Sequence, residues 1–150
     1  MLGDPINLLD PYGEVSWPTD YATITSPFGA SRSGGPHKGL DIENPRDGLV
    51  YATDGGRVRS VYYDEKGGNQ IIIDNDDGSV SGYAHTKATV VPGEKVPEGL
   101  PLGYSDGSGK GITGPHLHYT YRPCKDCEKI DPLPRLRGAL VPRQCPLPSR

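Results

Sequence analysis

The chain has no hydrophobic run that could cross a membrane as a helix. Only 33% of its 150 residues are hydrophobic, the mean hydropathy is -0.57, and no apolar stretch approaches the roughly 20 residues that a membrane-spanning helix needs. The net charge is -3 and no basic patch carries interleaved aromatic residues, so the sequence does not indicate a nucleic-acid-binding protein. The first ten residues have no basic start followed by an apolar stretch, so we expect no secretory signal in this chain.

Long helical segments are also missing. The 21 glycines and 16 prolines interrupt the chain often, and no stretch of ten residues has a convincing helical pattern. Short runs rich in Val, Ile and Tyr alternate instead with Gly, Asp and Asn turn signals, which predicts strands joined by tight turns. These runs are Ala22–Thr25, Leu49–Thr53, Arg57–Tyr63, Gln70–Asp74, Ser79–Ala84 and Leu117–Tyr121. We therefore predict a mainly β protein with an antiparallel sheet, long glycine-rich loops and little helix.

The same pattern predicts the organisation of the chain. Residues 1–21 form an extended, proline-punctuated arm, residues 22–134 a single domain, and residues 135–150 a proline-rich tail. Within the domain, the uninterrupted Ile71–Ile73 run predicts a strand that is buried on both faces. The segment Asp74–Gly78 predicts a hairpin turn.

Three cysteines occur late in the chain, and an odd count allows at most one internal disulfide plus a free thiol. Either Cys124 or Cys127 could pair with Cys145 and hold the tail. Cys124 and Cys127 could instead pair with each other and close a tight loop, or all three could stay reduced. A second metal site is not predicted, because the Cys-x-x-Cys pair lacks a second pair of ligands.

The first of the four histidines stands in the segment His37-Lys38-Gly39-Leu40-Asp41. Imidazole and carboxylate groups are suitable zinc ligands, and Gly39 lets the backbone bend between them. By itself the spacing is a weak signal, because histidine and aspartate four residues apart often occur by chance.

Two further histidines share the strand-like segment that contains His116, Leu117 and His118. Side chains alternate between the faces of a strand, so His116 and His118 lie on one face, while Leu117 and Tyr119 lie on the other. The second face suits a core. The first would line a polar cleft or, in the simpler interpretation, face solvent.

The fourth histidine, His85, ends another strand-like run, and a lone histidine is more often structural than catalytic. Taken together, however, the histidines fit a catalytic zinc site, which needs three protein ligands and one open position. His37, Asp41 and one of His116 and His118 would bind the metal. The remaining histidine and His85 would transfer protons, for which a pKa near neutrality is suitable. The residues alone do not decide between His116 and His118.

These motifs, in this order, resemble the lysostaphin/LytM-type peptidase domain, with a match from about Ile24 to Pro132. The segments that carry the resemblance are Ser26–Gly29 with Arg32, His37–Ile42, Val50–Val58, Gly68–Ile73, Tyr83–His85, Val91–Gly99, Leu102–Asp106, Thr113–His118 and Asp131–Pro132. The resemblance implies a two-layer β fold and one zinc ion per chain. It assigns His37, Asp41 and His118 as zinc ligands and His85 and His116 as the catalytic pair.

The resemblance also implies a function. The chain is expected to be a zinc-dependent endopeptidase that hydrolyses peptide stems or cross-links of bacterial peptidoglycan. It would act as a monomer on the cell wall, in the periplasm, outside the cell or on a virion. It would come from a phage lysin or from a larger secreted enzyme.

Two other functions remain open. The chain could be a catalytically inactive LytM-like module that binds the cell wall or a partner protein, or a structural zinc protein with a closed site of four ligands. One segment, Arg122–Lys129, does not match the family pattern.

Overall fold

The computed structural model describes residues 15–110 and 114–136, and these form a mainly β structure. Within these ranges there are ten strands and one short 3₁₀ turn, Leu133–Arg135. The strands are β1 Ile24–Ser26, β2 Leu40–Glu43, β3 Leu49–Tyr51, β4 Gly56–Asp64, β5 Gly68–Asn75, β6 Val80–Ala84, β7 Thr86–Ala88, β8 Lys95–Val96, β9 Pro101–Ser105 and β10 His116–Arg122. The predicted fold class is confirmed. No helix in these ranges has the length and apolar character needed to cross a bilayer.

The strands form two antiparallel sheets. The larger has seven strands in the order β1-β2-β10-β6-β5-β4-β8, and the smaller has three in the order β3-β9-β7. A single hydrophobic cluster takes residues from both sheets, including Val50 of β3, Leu102 of β9, Ile71 of β5 and Leu117 of β10. This shared core accounts for the two-layer arrangement, because each sheet buries one apolar face against the other.

The alternation of side chains in β10 follows the prediction. Leu117 and Tyr119 are fully buried, and Tyr121 is 8% exposed, whereas His116 and His118 are only partly buried. The polar face of β10 is therefore free to build a site, while the apolar face fixes the strand against the core.

The prediction that β5 is buried on both faces was wrong at its centre. Ile71 and Ile73 are fully buried, but Ile72 is only partly buried and lines an open cleft on the large sheet. The apolar run does not mark two covered faces, because no second layer formed by residues 15–110 or 114–136 covers Ile72. The predicted hairpin turn does follow, with the Asn75 N–H donating to the Ser79 carbonyl at 2.9 Å.

All six predicted strands exist, with ends that differ by one or two residues. Four strands were missed, namely β2, β7, β8 and β9. They are two to five residues long, so their periodicity is too short to stand out from the loops around them.

The segment before the domain contributes to its core. Val15 and Trp17 are 7% and 2% exposed and belong to the hydrophobic cluster, as does Leu136 near the other end. Residues 15–21 of the predicted arm thus pack onto the sheets. The rest of the arm and most of the predicted tail, including Cys145, lie outside the described residues. The domain boundaries remain a prediction.

Of the alternatives for the cysteines, the structure adopts the tight loop. Cys124 and Cys127 form a disulfide, and the Cys127 N–H donates to the Cys124 carbonyl at 3.1 Å. The loop follows directly after β10.

Trp17 tests how much residues 15–21 contribute to stability. Trp17→Ala removes a buried indole, so we expect the free energy of unfolding to fall by about 3–5 kcal/mol. Tyr21→Ala is the matched control, because the Tyr21 side chain is 43% exposed and its removal should cost much less. Urea unfolding followed by circular dichroism measures both variants, and equal losses would contradict this packing role.

Candidate active site

Strand pairing brings two of the predicted ligands together. β10 lies between β2 and β6 in the large sheet, and the register places His118 directly across from Asp41 on β2. His37 lies four residues before Asp41, where its N–H donates to the Ala30 carbonyl at 2.9 Å. The sheet therefore converts a long separation in sequence into a contact between neighbouring strands.

The candidate ligand atoms of these three residues form a compact triangle. His37 Nε2 is 3.3 Å from Asp41 Oδ1 and 3.2 Å from His118 Nδ1, and His118 Nδ1 is 2.7 Å from Asp41 Oδ1. Bonds of about 2.0 Å to a tetrahedral zinc ion separate its ligands by roughly 3.3 Å. The two distances from His37 Nε2 fit that value as they stand. His118 Nδ1 and Asp41 Oδ1, which are hydrogen-bonded, would need to separate by about 0.6 Å. Two imidazoles and a carboxylate are also a donor set that zinc accepts.

The ring of His37 is oriented by the backbone. Its Nδ1 lies 2.9 Å from the Pro27 carbonyl oxygen. A carbonyl oxygen only accepts, so this contact requires the proton on Nδ1 and leaves the lone pair of Nε2 directed at Asp41 and His118. Such a second contact is typical of histidines that bind metals.

Gly39 makes room for His118. A Cβ atom at position 39 would lie 2.5 Å from Cε1 and 2.7 Å from Nε2 of His118, and 2.9 Å from the Tyr119 carbonyl oxygen. The steric reason for a glycine here is close approach of the His118 ring, and not the backbone bend that we expected.

His85 stands where the chain passes from the large sheet to the small one, between β6 and β7. Its φ of 57° lies in the left-handed region, which is uncommon for a residue other than glycine and often marks a functional position. Its Nδ1 donates to the Ser108 carbonyl at 2.7 Å. The proton is thus on Nδ1, and Nε2 is left to accept.

The loop that holds His85 is itself fixed. Asp106 accepts from the Ser108 N–H at 3.0 Å and from the Ser108 hydroxyl at 2.6 Å, and Asn69 donates to its other carboxylate oxygen at 2.7 Å. No sequence motif predicted that Asp106 or Ser108 would orient His85. The Asp-x-Ser spacing, which is typical of a side chain bonding to the backbone two residues on, could have pointed to an ordered turn here.

His116 lies beside His85, and its Nδ1 is held in the same way, although the two ring planes are inclined by 65°. The two ring centroids are 4.8 Å apart, and His116 Nδ1 donates to the Gly114 carbonyl at 2.9 Å. His116 Nε2 is 3.8 Å from Asp41 Oδ2, so it points towards the triangle without joining it. Two histidines therefore present a free Nε2 next to a three-donor site.

Arg32 contacts the other side of the Asp41 carboxylate. It donates to Asp41 Oδ2 at 3.2 Å and to the Ser26 hydroxyl at 2.7 Å. From the sequence, Arg32 was named only among the residues that resemble the family, and no role was predicted for it. Its contact leaves Oδ1 as the oxygen closest to both imidazole nitrogens.

The site shifts the protonation of its own groups. Burial by itself would raise the pKa of Asp41, but the hydrogen bond from His118 and the charges of the three nearby histidines outweigh it and lower the pKa to about 2. Burial lowers the pKa of His85, and burial also lowers that of His118 despite the opposing effect of Asp41. A charged carboxylate beside neutral imidazoles is the state that binds a metal ion.

The structure thus brings together all five residues that were singled out from the sequence: His37, Asp41, His85, His116 and His118. An open cleft on the same face of the large sheet includes each of them in its lining. The cleft contains a site that could hold one metal ion, with two further histidines beside it.

Comparison with known proteins gives a consistent result. The model of Peptidase family M23 matches residues 35–132. Among curated relatives, peptidoglycan DD-endopeptidase ShyC of Vibrio cholerae is 31% identical over 69% of this chain, and murein hydrolase activator NlpD of Salmonella dublin is 33% identical over 75%. The chain spans 25% and 29% of their respective lengths.

Among solved structures, the antimicrobial peptidase lysostaphin of Staphylococcus simulans has a TM-score of 0.74 and 28% identity to this chain. The match covers 85% of this chain and 54% of lysostaphin. The resemblance drawn from the motifs is therefore confirmed, and the chain belongs to Peptidase family M23.

Proposed function

We propose that this chain is a zinc-dependent endopeptidase that hydrolyses peptide stems or cross-links of bacterial peptidoglycan. The observation that carries the proposal is the separation of roles in the cleft. Three donor atoms of His37, Asp41 and His118 converge within 3.3 Å of one another. His85 and His116 stand beside them with Nδ1 already committed to carbonyl oxygens.

A structural zinc site would use a closed set of four protein ligands. The nearest candidate for a fourth ligand is His116, whose Nε2 is 3.8 Å from one carboxylate oxygen of Asp41. In this proposal His116 stays off the metal, and the fourth position is left to water.

His37, Asp41 and His118 would hold the zinc ion, which would supply a Lewis acid and make water ionisable near neutral pH. The free Nε2 of one of His85 and His116 accepts a proton from the attacking water. The histidine that has taken this proton is then an imidazolium, and its Nε2–H protonates the leaving amine. The other histidine donates a hydrogen bond to the oxyanion on the scissile carbonyl only in its own imidazolium form, because its Nδ1–H is held by a carbonyl oxygen. The Ser108 and Gly114 carbonyls keep both rings in the orientation that this proton transfer needs.

A second candidate function has a specific observation in its favour. A relative at 33% identity is named a murein hydrolase activator, which supports a catalytically inactive module that binds the cell wall or a partner protein. The five residues His37, Asp41, His85, His116 and His118 count against it, since a module without catalysis has no need to keep two oriented histidines beside a metal site.

Hydrolysis of purified peptidoglycan tests the proposal. We expect new amino termini to be released, and a chelator to abolish the release until zinc is restored. His116→Ala should lower the rate by about 10²- to 10⁴-fold and keep one zinc per chain, whereas His37→Ala should lose the metal. Thr120→Ala, on the same face of β10, is the matched control and should stay close to wild type.

Full activity of His116→Ala would contradict the assignment of the catalytic pair. Absence of any release from walls of several chemical types, with zinc shown to be bound, would favour the binding module instead.

Substitution of Gly39 tests the metal site by adding bulk beside His118 without removing any proposed ligand. We expect Gly39→Ala to displace the His118 ring and to weaken zinc binding and activity by about 10- to 100-fold, as changes around metal ligands typically do. Gly34→Ala is the control, because a Cβ atom at position 34 would meet nothing within 4 Å. Titration with a competing zinc chelator measures the affinities, and equal affinities in the two variants would show that His118 does not bind the ion.

A further inference from the structure

The cleft carries an excess of positive charge on a chain whose net charge is -3. Four cations among its lining residues define what we call the cationic shelf: Lys38, Lys66, Arg122 and Lys129. The excess is local and does not follow from the composition of the chain.

The other cations in the lining are already paired. Arg32 lies 3.2 Å from Asp41 Oδ2, the Arg59 guanidinium pairs with Asp74, and Lys110 lies 3.7 Å from Glu65 Oε1. Over residues 15–110 and 114–136, no salt bridge connects any member of the cationic shelf to a carboxylate. The shelf therefore has unused capacity to bind an anion.

The four cations are close enough to affect one another. Burial lowers the pKa of Lys129, and the charges of Arg122, Lys66 and Lys38 lower it further. The shelf residues and the metal-site residues line the same cleft. An anion bound here would relieve the repulsion among these groups.

The fold holds part of this arrangement in place. Arg122 ends β10 on the same face as His118, about 13 Å further along the strand. Its guanidinium donates to the Cys127 carbonyl at 2.7 Å, across the loop that the Cys124–Cys127 disulfide closes. The Ile130 N–H then donates to the Tyr121 carbonyl at 3.0 Å, so the chain folds back and carries Lys129 over the cleft.

This loop lies in Arg122–Lys129, a segment whose sequence did not suggest the family, although the family model spans it within residues 35–132. Its disulfide and its hydrogen bonds give two of the four cations a defined position. The loop therefore shapes the end of the cleft that contains the metal site.

We propose that the cationic shelf binds a free carboxylate of the substrate, so that the substrate class is an anionic, carboxylate-bearing stem peptide and not an uncharged glycine bridge. The proposal rests on the proposed peptidase function. Lysine and arginine form short, charge-assisted hydrogen bonds with carboxylates, and a positive cleft concentrates anionic substrates near the reacting bond.

Three synthetic substrates test the proposal: a cross-linked stem-peptide dimer with free carboxylates, the same dimer with those carboxylates amidated, and a glycine-bridged dimer. We expect kcat/KM to be about tenfold or more higher for the first than for the second. Added salt should reduce that ratio, because it screens exposed charges beyond about 8 Å at physiological strength. The double variant Arg122→Gln/Lys129→Gln should bring the ratio close to one.

The ratio of the two rates separates the shelf from the metal site, because damage to zinc binding would lower both rates together. Lys129→Arg should keep most of the preference. Lys95→Gln, on β8 and outside the cleft lining, is the matched control and should leave the ratio unchanged. A wild-type ratio near one, or faster cleavage of the glycine-bridged dimer, would overturn the proposal.

The shelf can also be tested if no dimer is cleaved, an outcome that would count against the proposed function alone. Calorimetric titration of the zinc-loaded protein with the carboxylate and amidated dimers then measures binding directly. Tighter binding of the carboxylate form, lost in the double variant, supports the shelf, and equal binding refutes it.

Discussion

The buried carboxylate of Asp41 is the constraint on which the site depends. A charged group at 6% exposure is stable only if nearby groups compensate its lost hydration. Three imidazoles and the Arg32 guanidinium surround it, and the resulting pKa of about 2 keeps it ionised at neutral pH. The same compensation creates the donor set, because the nitrogen atoms that stabilise the carboxylate are those that would bind zinc with it.

The pairing of strands in the large sheet positions the histidines around Asp41. The pairing of β10 with β2 places His118 opposite Asp41, and its pairing with β6 places the same residue opposite Ala84, directly before His85. A shift of one residue in either register would turn His118 into the core and Leu117 into the cleft. The burial of Leu117 and Tyr119 on the core face of β10 therefore fixes the register that places His118 in the cleft.

The structural features that could be predicted from the sequence are those that depend on residues close together in the chain. The alternation in His116–Arg122 predicted which face was polar, because side-chain period alone determines it. The bend at His85 had no such signature, since its left-handed backbone depends on the change between sheets. Ile72 was misjudged because an apolar run does not reveal whether a second layer covers it, and the choice of His118 over His116 came from family resemblance alone. The relation of the Arg122–Lys129 segment to the cleft had no sequence signature and is visible only in the folded chain.

Anomalous diffraction at the zinc absorption edge, from crystals of the zinc-loaded protein, tests the central claim most directly. The account predicts one ion bonded to His37 Nε2, Asp41 and His118 Nδ1 at about 2.0–2.2 Å, with solvent in the fourth position and neither His85 nor His116 bonded. An ion that also bonds His116 would make the site closed and structural, and an ion bound anywhere else in the chain would contradict the account.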